Sequence, residues 1–155
     1  MLHVVAPRQI SFTAFCAANV LMDTEPGYYM LTGQYPLHRF AHTYVGATLV
    51  GGGTIALLLT SMALAKKWRL PNWFGWLGLT TKAIVLGSLT GTYSHVFLDS
   101  LMHVDIRPFA PFSDANPMLL VIPVETLHHA CLFAGILALG IAVFRWWKVW
   151  LDSTI

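Results

Sequence analysis

Most of the histidines and acids in this chain fall into four short groups. His38 and His42 are four residues apart. His95, Asp99 and His103 repeat that spacing twice. Glu125, His128 and His129 stand at positions i, i+3 and i+4, and Asp23 and Glu25 form the fourth group. On an α-helix, residues three or four apart share a face, so each group presents imidazole or carboxylate in one direction. Two histidines at that spacing can grip one metal ion. Neutral imidazole combined with carboxylate suits zinc, manganese or iron. A single pair carries little weight, since an isolated histidine often serves only as a hydrogen-bonder. Four groups delivered to one place carry much more.

The elements that must position these groups are apolar helices. Apolar residues make up 56% of the chain and charged residues 10%. A soluble domain has roughly 25% charged residues, and so few charges cannot clothe a water-facing surface. A bilayer removes the need, because lipid solvates the apolar exterior. The net charge of +2 excludes the strongly basic balance of a nucleic-acid binder. Residues 41–65 contain no Asp, Glu, Lys or Arg, residues 73–98 contain only Lys82, and residues 117–144 contain only Glu125. Each run exceeds the roughly 20 residues that span a bilayer as a helix. Residues 10–22 are shorter and carry Ser11, Thr13 and Asn19. The expectation is an all-α, polytopic membrane bundle of three long transmembrane helices plus a shorter N-terminal helical segment. It forms one helical membrane domain over residues 1–155. No signal peptide is expected, because Arg8 follows the first apolar residues instead of preceding them.

Threading these helices back and forth sorts the charges. Arg8, Lys66, Lys67, Arg69, Arg145 and Lys148 fall on one side, with only Arg39 and Arg107 on the other. The positive-inside rule makes the first side cytoplasmic. This predicts a multi-pass inner-membrane protein with both termini in the cytoplasm. Asp23, Glu25, Asp99, Asp105, Asp114 and Glu125 fall at the outer, periplasm-like side. All six tryptophans border the cytoplasmic side, as interfacial anchors do, and all five tyrosines lie near the outer side. An ionised carboxylate at the bilayer centre costs about 2.5–3.5 kcal/mol on insertion scales. Asp99 and Glu125 therefore call for a partner or a purpose. Gly87 and Gly91 form a small-xxx-small pair, and Gly51, Gly52 and Gly53 interrupt the second long run. Both features favour close helix approach, within the chain or to a protein partner or second copy. Cys16 and Cys131 are isolated and show no redox or metal spacing.

Four segments carry a family resemblance. Met22–Tyr29 reads MDTEPGYY, His38–Tyr44 reads HRFAHTY, Ser94–Asp99 reads SHVFLD, and Arg107–Ser113 reads RPFAPFS. In this order they resemble the bacterial YdjM-type inner-membrane proteins, which are described as metal-dependent hydrolases. The resemblance covers about residues 22–113 and implies His38, His42, His95 and Asp99 as metal ligands. Asp23 and Glu25 lie near these ligands, and His128 and His129, beyond the stretch the resemblance covers, stand beside them as further candidate ligands or supporting groups by their place at the outer side. The acidic turn lacks the family's leading proline, and His3 does not sit in the family's His-Gly context.

Three functions from different classes follow. The first is a hydrolase with a divalent metal, zinc first and manganese or iron after it, at the outer membrane face. Its substrate is a lipid or lipid-linked ester that arrives laterally from membrane lipid. Glu125 is its candidate general base. Arg39 and Arg107 are candidates to hold a phosphate, which guanidinium binds bidentately. The second is a di-iron or haem oxidoreductase component. Glu125-x-x-His128 matches one Glu-x-x-His element, whereas helical di-iron sites use two. The third is a non-catalytic subunit of a membrane complex.

Overall fold

The computed structural model describes residues 9–153, with side chains left aside at 73–74, 145–146 and 148–153. His3 and Arg8 lie outside the described residues, as do the side chains of Arg145, Lys148, Asp152, Trp73, Trp146 and Trp150 on which part of the charge and tryptophan sorting rests.

The described residues form four α-helices and one short 3-10 turn, with no strand. Helix α1 is Phe12–Leu31, α2 is Tyr44–Lys67, α3 is Thr81–Met102 and α4 is Val124–Ser153. The 3-10 turn, Trp73–Gly78, precedes α3. Two of the helices, Tyr44–Lys67 and the Val124–Phe144 part of α4, are long and apolar enough to cross a membrane.

Each of the first three helices starts on a side-chain cap. Ser11, Thr43 and Thr80 accept the amides of Ala14, Gly46 and Ala83. Such a cap supplies a partner for one of the amides that the first turn leaves orphaned. Thr43 has a consequence for the site. It stops α2 from beginning earlier, so His38 and His42 lie in the loop ahead of the helix, not on its first turns. Helix α1 is also longer than its apolar run. It continues through Pro26 to Leu31, so Asp23 and Glu25 sit within it instead of closing it. Pro26 has no N–H, which leaves the last turns of α1 one helical hydrogen bond short beside these two acids.

Helices α1, α2 and α3 pack on one another, while α4 packs little against them. Glycine sets the closeness of α1 to α3. A Cβ at Gly87 meets the Ser11 carbonyl, and one at Gly91 lies 2.9 Å from the Phe15 carbonyl and 3.1 Å from Asn19 Nδ2. Gly51 contacts Leu89 and Thr92, whereas Gly52 and Gly53 meet nothing within 4 Å. The three glycines do not interrupt α2, which runs through them unbroken. One apolar cluster, Ala14, Met62 and Ile84, packs with Trp76, Leu77 and Leu79 next to the 3-10 turn. A second, Met22, Ala47 and Val96, fills the opposite end. That second cluster is the floor on which the polar groups rest. The segment after α3 folds back over them, with the Tyr44 amide donating to the Pro108 carbonyl (2.9 Å) and Asn116 Nδ2 to the Ser100 carbonyl (2.9 Å).

Candidate metal centre

The end of α1, the loop before α2 and the end of α3 bring Asp23, His42, His95 and Asp99 together. His95 Nε2 lies 3.3 Å from His42 Nε2, 3.2 Å from Asp99 Oδ2 and 3.3 Å from Asp23 Oδ1. His42 Nε2 lies 3.6 Å from Asp99 Oδ2. His42 is fully buried, and only Asp23 opens outward, with 64% of its side chain exposed.

The other ring nitrogens fix the tautomer that each neutral imidazole adopts. Asn19 Nδ2 donates to the Phe15 carbonyl (2.8 Å), which turns Asn19 Oδ1 toward His95. That oxygen can only accept, so His95 Nδ1 carries the proton and donates to it at 2.9 Å. Glu25 accepts the amides of Arg39 and Ala41 and faces His42 Nδ1 at a longer 3.4 Å. A carboxylate already serving amides is an acceptor, so the His42 proton also sits on Nδ1. With both rings neutral, His42 and His95 turn bare Nε2 lone pairs toward each other and toward two carboxylate oxygens.

Four acceptors converging with no donor between them is unfavourable away from water. A proton on one Nε2 satisfies only the atoms it points at, whereas a cation would draw on several of them at once. Zinc sits about 2.0–2.2 Å from histidine nitrogen or carboxylate oxygen, which sets neighbouring ligand atoms of a tetrahedron about 3.3–3.6 Å apart. Four of the six separations among these atoms, 3.2, 3.3, 3.3 and 3.6 Å, lie near that edge length. They exceed the roughly 2.7–2.9 Å of charge-assisted hydrogen bonds. The outer contacts His95–Asn19 and His38–Asp105, both 2.9 Å, do have hydrogen-bond length. The residues present thus fit a divalent cation, with an inner ring at ligand spacing and an outer ring that orients the imidazoles.

His38 is drawn elsewhere than the family resemblance implies. Its Nδ1 donates to Asp105 Oδ1 (2.9 Å), and the Leu37 and His38 amides donate to Asp105 Oδ2 (2.9 and 3.1 Å). Burial works to raise the Asp105 pKa, but these three hydrogen bonds outweigh it and hold the carboxyl below its ordinary value. The free side of His38 faces Asp99 and His103, and the three form a second group able to hold a metal ion.

Glu125, His128 and His129 are exposed at the start of α4 and belong to neither group among the described residues. Arg39 and Arg107 line a cavity of about 320 Å³ with His38, Asp105 and Asp114. The Arg39 guanidinium lies 3.6 Å above the Tyr29 ring, and Arg107 pairs with Asp114 at 2.9 Å. The sequence reading did not single out Asn19 as a site residue, although a lone amide in an apolar helix is the signal that marks it. Asp105 carries no such signal, because only the fold brings it to His38. Searches against protein-family models, curated proteins and solved structures found no match for the chain.

Proposed function

We propose that this chain is a divalent-metal-dependent hydrolase of the inner membrane, as its resemblance to the YdjM-type proteins implies. The observation that carries the proposal is the gathering of His42 Nε2, Asp23 Oδ1 and Asp99 Oδ2 around His95 Nε2 at 3.2–3.3 Å. Zinc is the first choice of ion for a site of two imidazoles and carboxylate, with manganese and iron after it.

When bound, a divalent cation supplies Lewis-acid polarisation of an ester or phosphoryl oxygen and activates water. The chain's own residues do the rest. Asn19 and Glu25 hold the imidazoles in the tautomer that exposes Nε2. Asp23 is the exposed member of the set, so it is the ligand that would give up its place to water or substrate at the open side of the site. Arg39, braced by Tyr29 and by its Nε–H donating to the Pro36 carbonyl (3.0 Å), presents cationic charge to the neighbouring cavity. That favours a phosphate-bearing substrate.

In this reading α3 is a third span beside α2 and α4, and α1 packs against α2 and α3 as a shorter segment. The exposed apolar side chains of α4, among them Leu132, Phe133, Ile136, Leu139 and Val143, suit a helix solvated by lipid. Both termini are cytoplasmic and the site faces the periplasm, where a lipid or lipid-linked phosphoester reaches it from within the bilayer.

The test is a screen of lipid phosphoesters with purified protein in detergent or nanodiscs, with and without chelator. Hydrolysis is expected to stop on chelation, to return with zinc or manganese, and to be absent in a folded Asp99→Asn variant. A wild-type protein that holds no divalent metal, together with an Asp99→Asn variant of unchanged stability, sinks the proposal.

A further inference from the structure

The second group differs from the first in that sequence spacing alone places His103 a turn beyond the metal ligands. The helix ends at Met102, and the His103 amide donates to the Asp99 carbonyl at 2.9 Å. This cap holds His103 over the end of α3. Its ring centroid lies 4.4 Å from that of His38, which in turn lies 4.8 Å from that of His42. One ligand atom from each of His38, Asp99 and His103 falls within 4.8 Å of the others. Asp105 occupies His38 Nδ1, so His38 has Nε2 to offer, in the carboxylate–histidine arrangement that orients metal ligands.

Asp99 belongs to both groups. Its Oδ2 faces His42 and His95. A carboxylate has two oxygens with about four lone-pair sites, so one Asp can serve two cations. Hydrolytic two-metal sites set their ions about 3.5–4 Å apart, a distance one carboxylate spans.

We infer that the protein holds two divalent cations, the second bound by His38, Asp99 and His103, with Asp99 bridging it to the first. The inference rests on the proposed cation at His42 and His95 and adds a neighbour to it. The second ion borders the cavity that His38, Arg39 and Asp105 line, so a substrate phosphate there meets a cation as well as Arg39. Two cations beside the Arg39 guanidinium favour a substrate with several anionic oxygens, which makes a phosphate ester the substrate class.

The experiment is manganese loading of the purified full-length protein, read by metal content after gel filtration and by electron paramagnetic resonance. Two manganese ions per wild-type chain are expected, with the spectrum of a magnetically coupled pair. His103→Gln is expected to bind one ion per chain, at the affinity of the tighter wild-type site, with an uncoupled spectrum. Wild-type protein that binds one uncoupled ion overturns the second site and leaves the first standing. Wild-type protein that binds none overturns both. Two coupled ions retained in His103→Gln remove His103 from the site and overturn the assignment. The wild-type spectrum decides the matter even where a variant fails to fold.

Discussion

Replacing Asn19 by leucine keeps the side-chain size and removes the acceptor that fixes the His95 tautomer. In the native chain, Asn19 Oδ1 accepts the His95 Nδ1 proton at 2.9 Å, while Asn19 Nδ2 is tied to the Phe15 carbonyl at 2.8 Å. In Asn19→Leu the His95 N–H has no partner in a partly buried setting, which costs about 1–3 kcal/mol. The imidazole can recover by moving its proton to Nε2, where Asp23 and Asp99 accept it. That proton occupies the position a cation needs. Loss of such an outer partner typically weakens metal binding by about 10–100-fold, which is about 1.4–2.7 kcal/mol and matches the hydrogen-bond cost. Asn19→Asp is the control, since a carboxylate still accepts from Nδ1 and should retain near-native affinity. The assay is zinc titration of purified protein against a competing chelator, with helix content followed by circular dichroism. Wild-type affinity in a folded Asn19→Leu variant refutes the tautomer reasoning. Equal losses in the Leu and Asp variants also refute it.

Gly91→Ala places a Cβ against the Phe15 carbonyl and Asn19 Nδ2, at 2.9 and 3.1 Å, so α1 must shift. Overpacking of this kind costs about 1–3 kcal/mol, and thermal unfolding should show both that loss and weaker metal binding. Asp105 has a folded pKa below its ordinary value, so the unfolded chain binds the proton more readily. The stability it contributes is therefore present above the ordinary carboxylate range, near pH 4, and is lost as pH falls through the folded value. Melting of metal-free wild type and Asp105→Asn should differ at neutral pH and converge in acid. Glu125→Gln should leave metal content unchanged, because Glu125 belongs to neither ligand group among the described residues; metal loss on elemental analysis counts against that placement. Reporter fusions at Ile155 and Asp114 should read cytoplasmic and periplasmic respectively, and the reverse pattern moves the site to the other face.

The sequence makes part of this legible and hides the rest for physical reasons. An all-helical chain follows from long uncharged runs, and the meeting of His42 with His95 and Asp99 follows from helices that return to the same side. The helical His-x-x-x-His face expected at His38 and His42 does not exist, because Thr43 caps α2 on the Gly46 amide and leaves both histidines in the loop. They converge all the same, because Glu25 and Asp105 gather the loop amides around them. Asn19 and Asp105 act through contacts 76 and 67 residues away in sequence, which no spacing rule reaches. Glu125 stands out for its charge in an apolar run, and it lies exposed on the first turn of α4, apart from both ligand groups among the described residues.

Zinc-edge X-ray absorption on the purified, zinc-loaded protein tests the central claim most directly. The expected first shell mixes nitrogen and oxygen at about 2.0–2.2 Å, with outer-shell scattering from imidazole rings that weakens in His95→Ala. Protein that retains no zinc, or a shell of oxygens alone with no imidazole scattering, contradicts a cation held by His42, His95, Asp23 and Asp99.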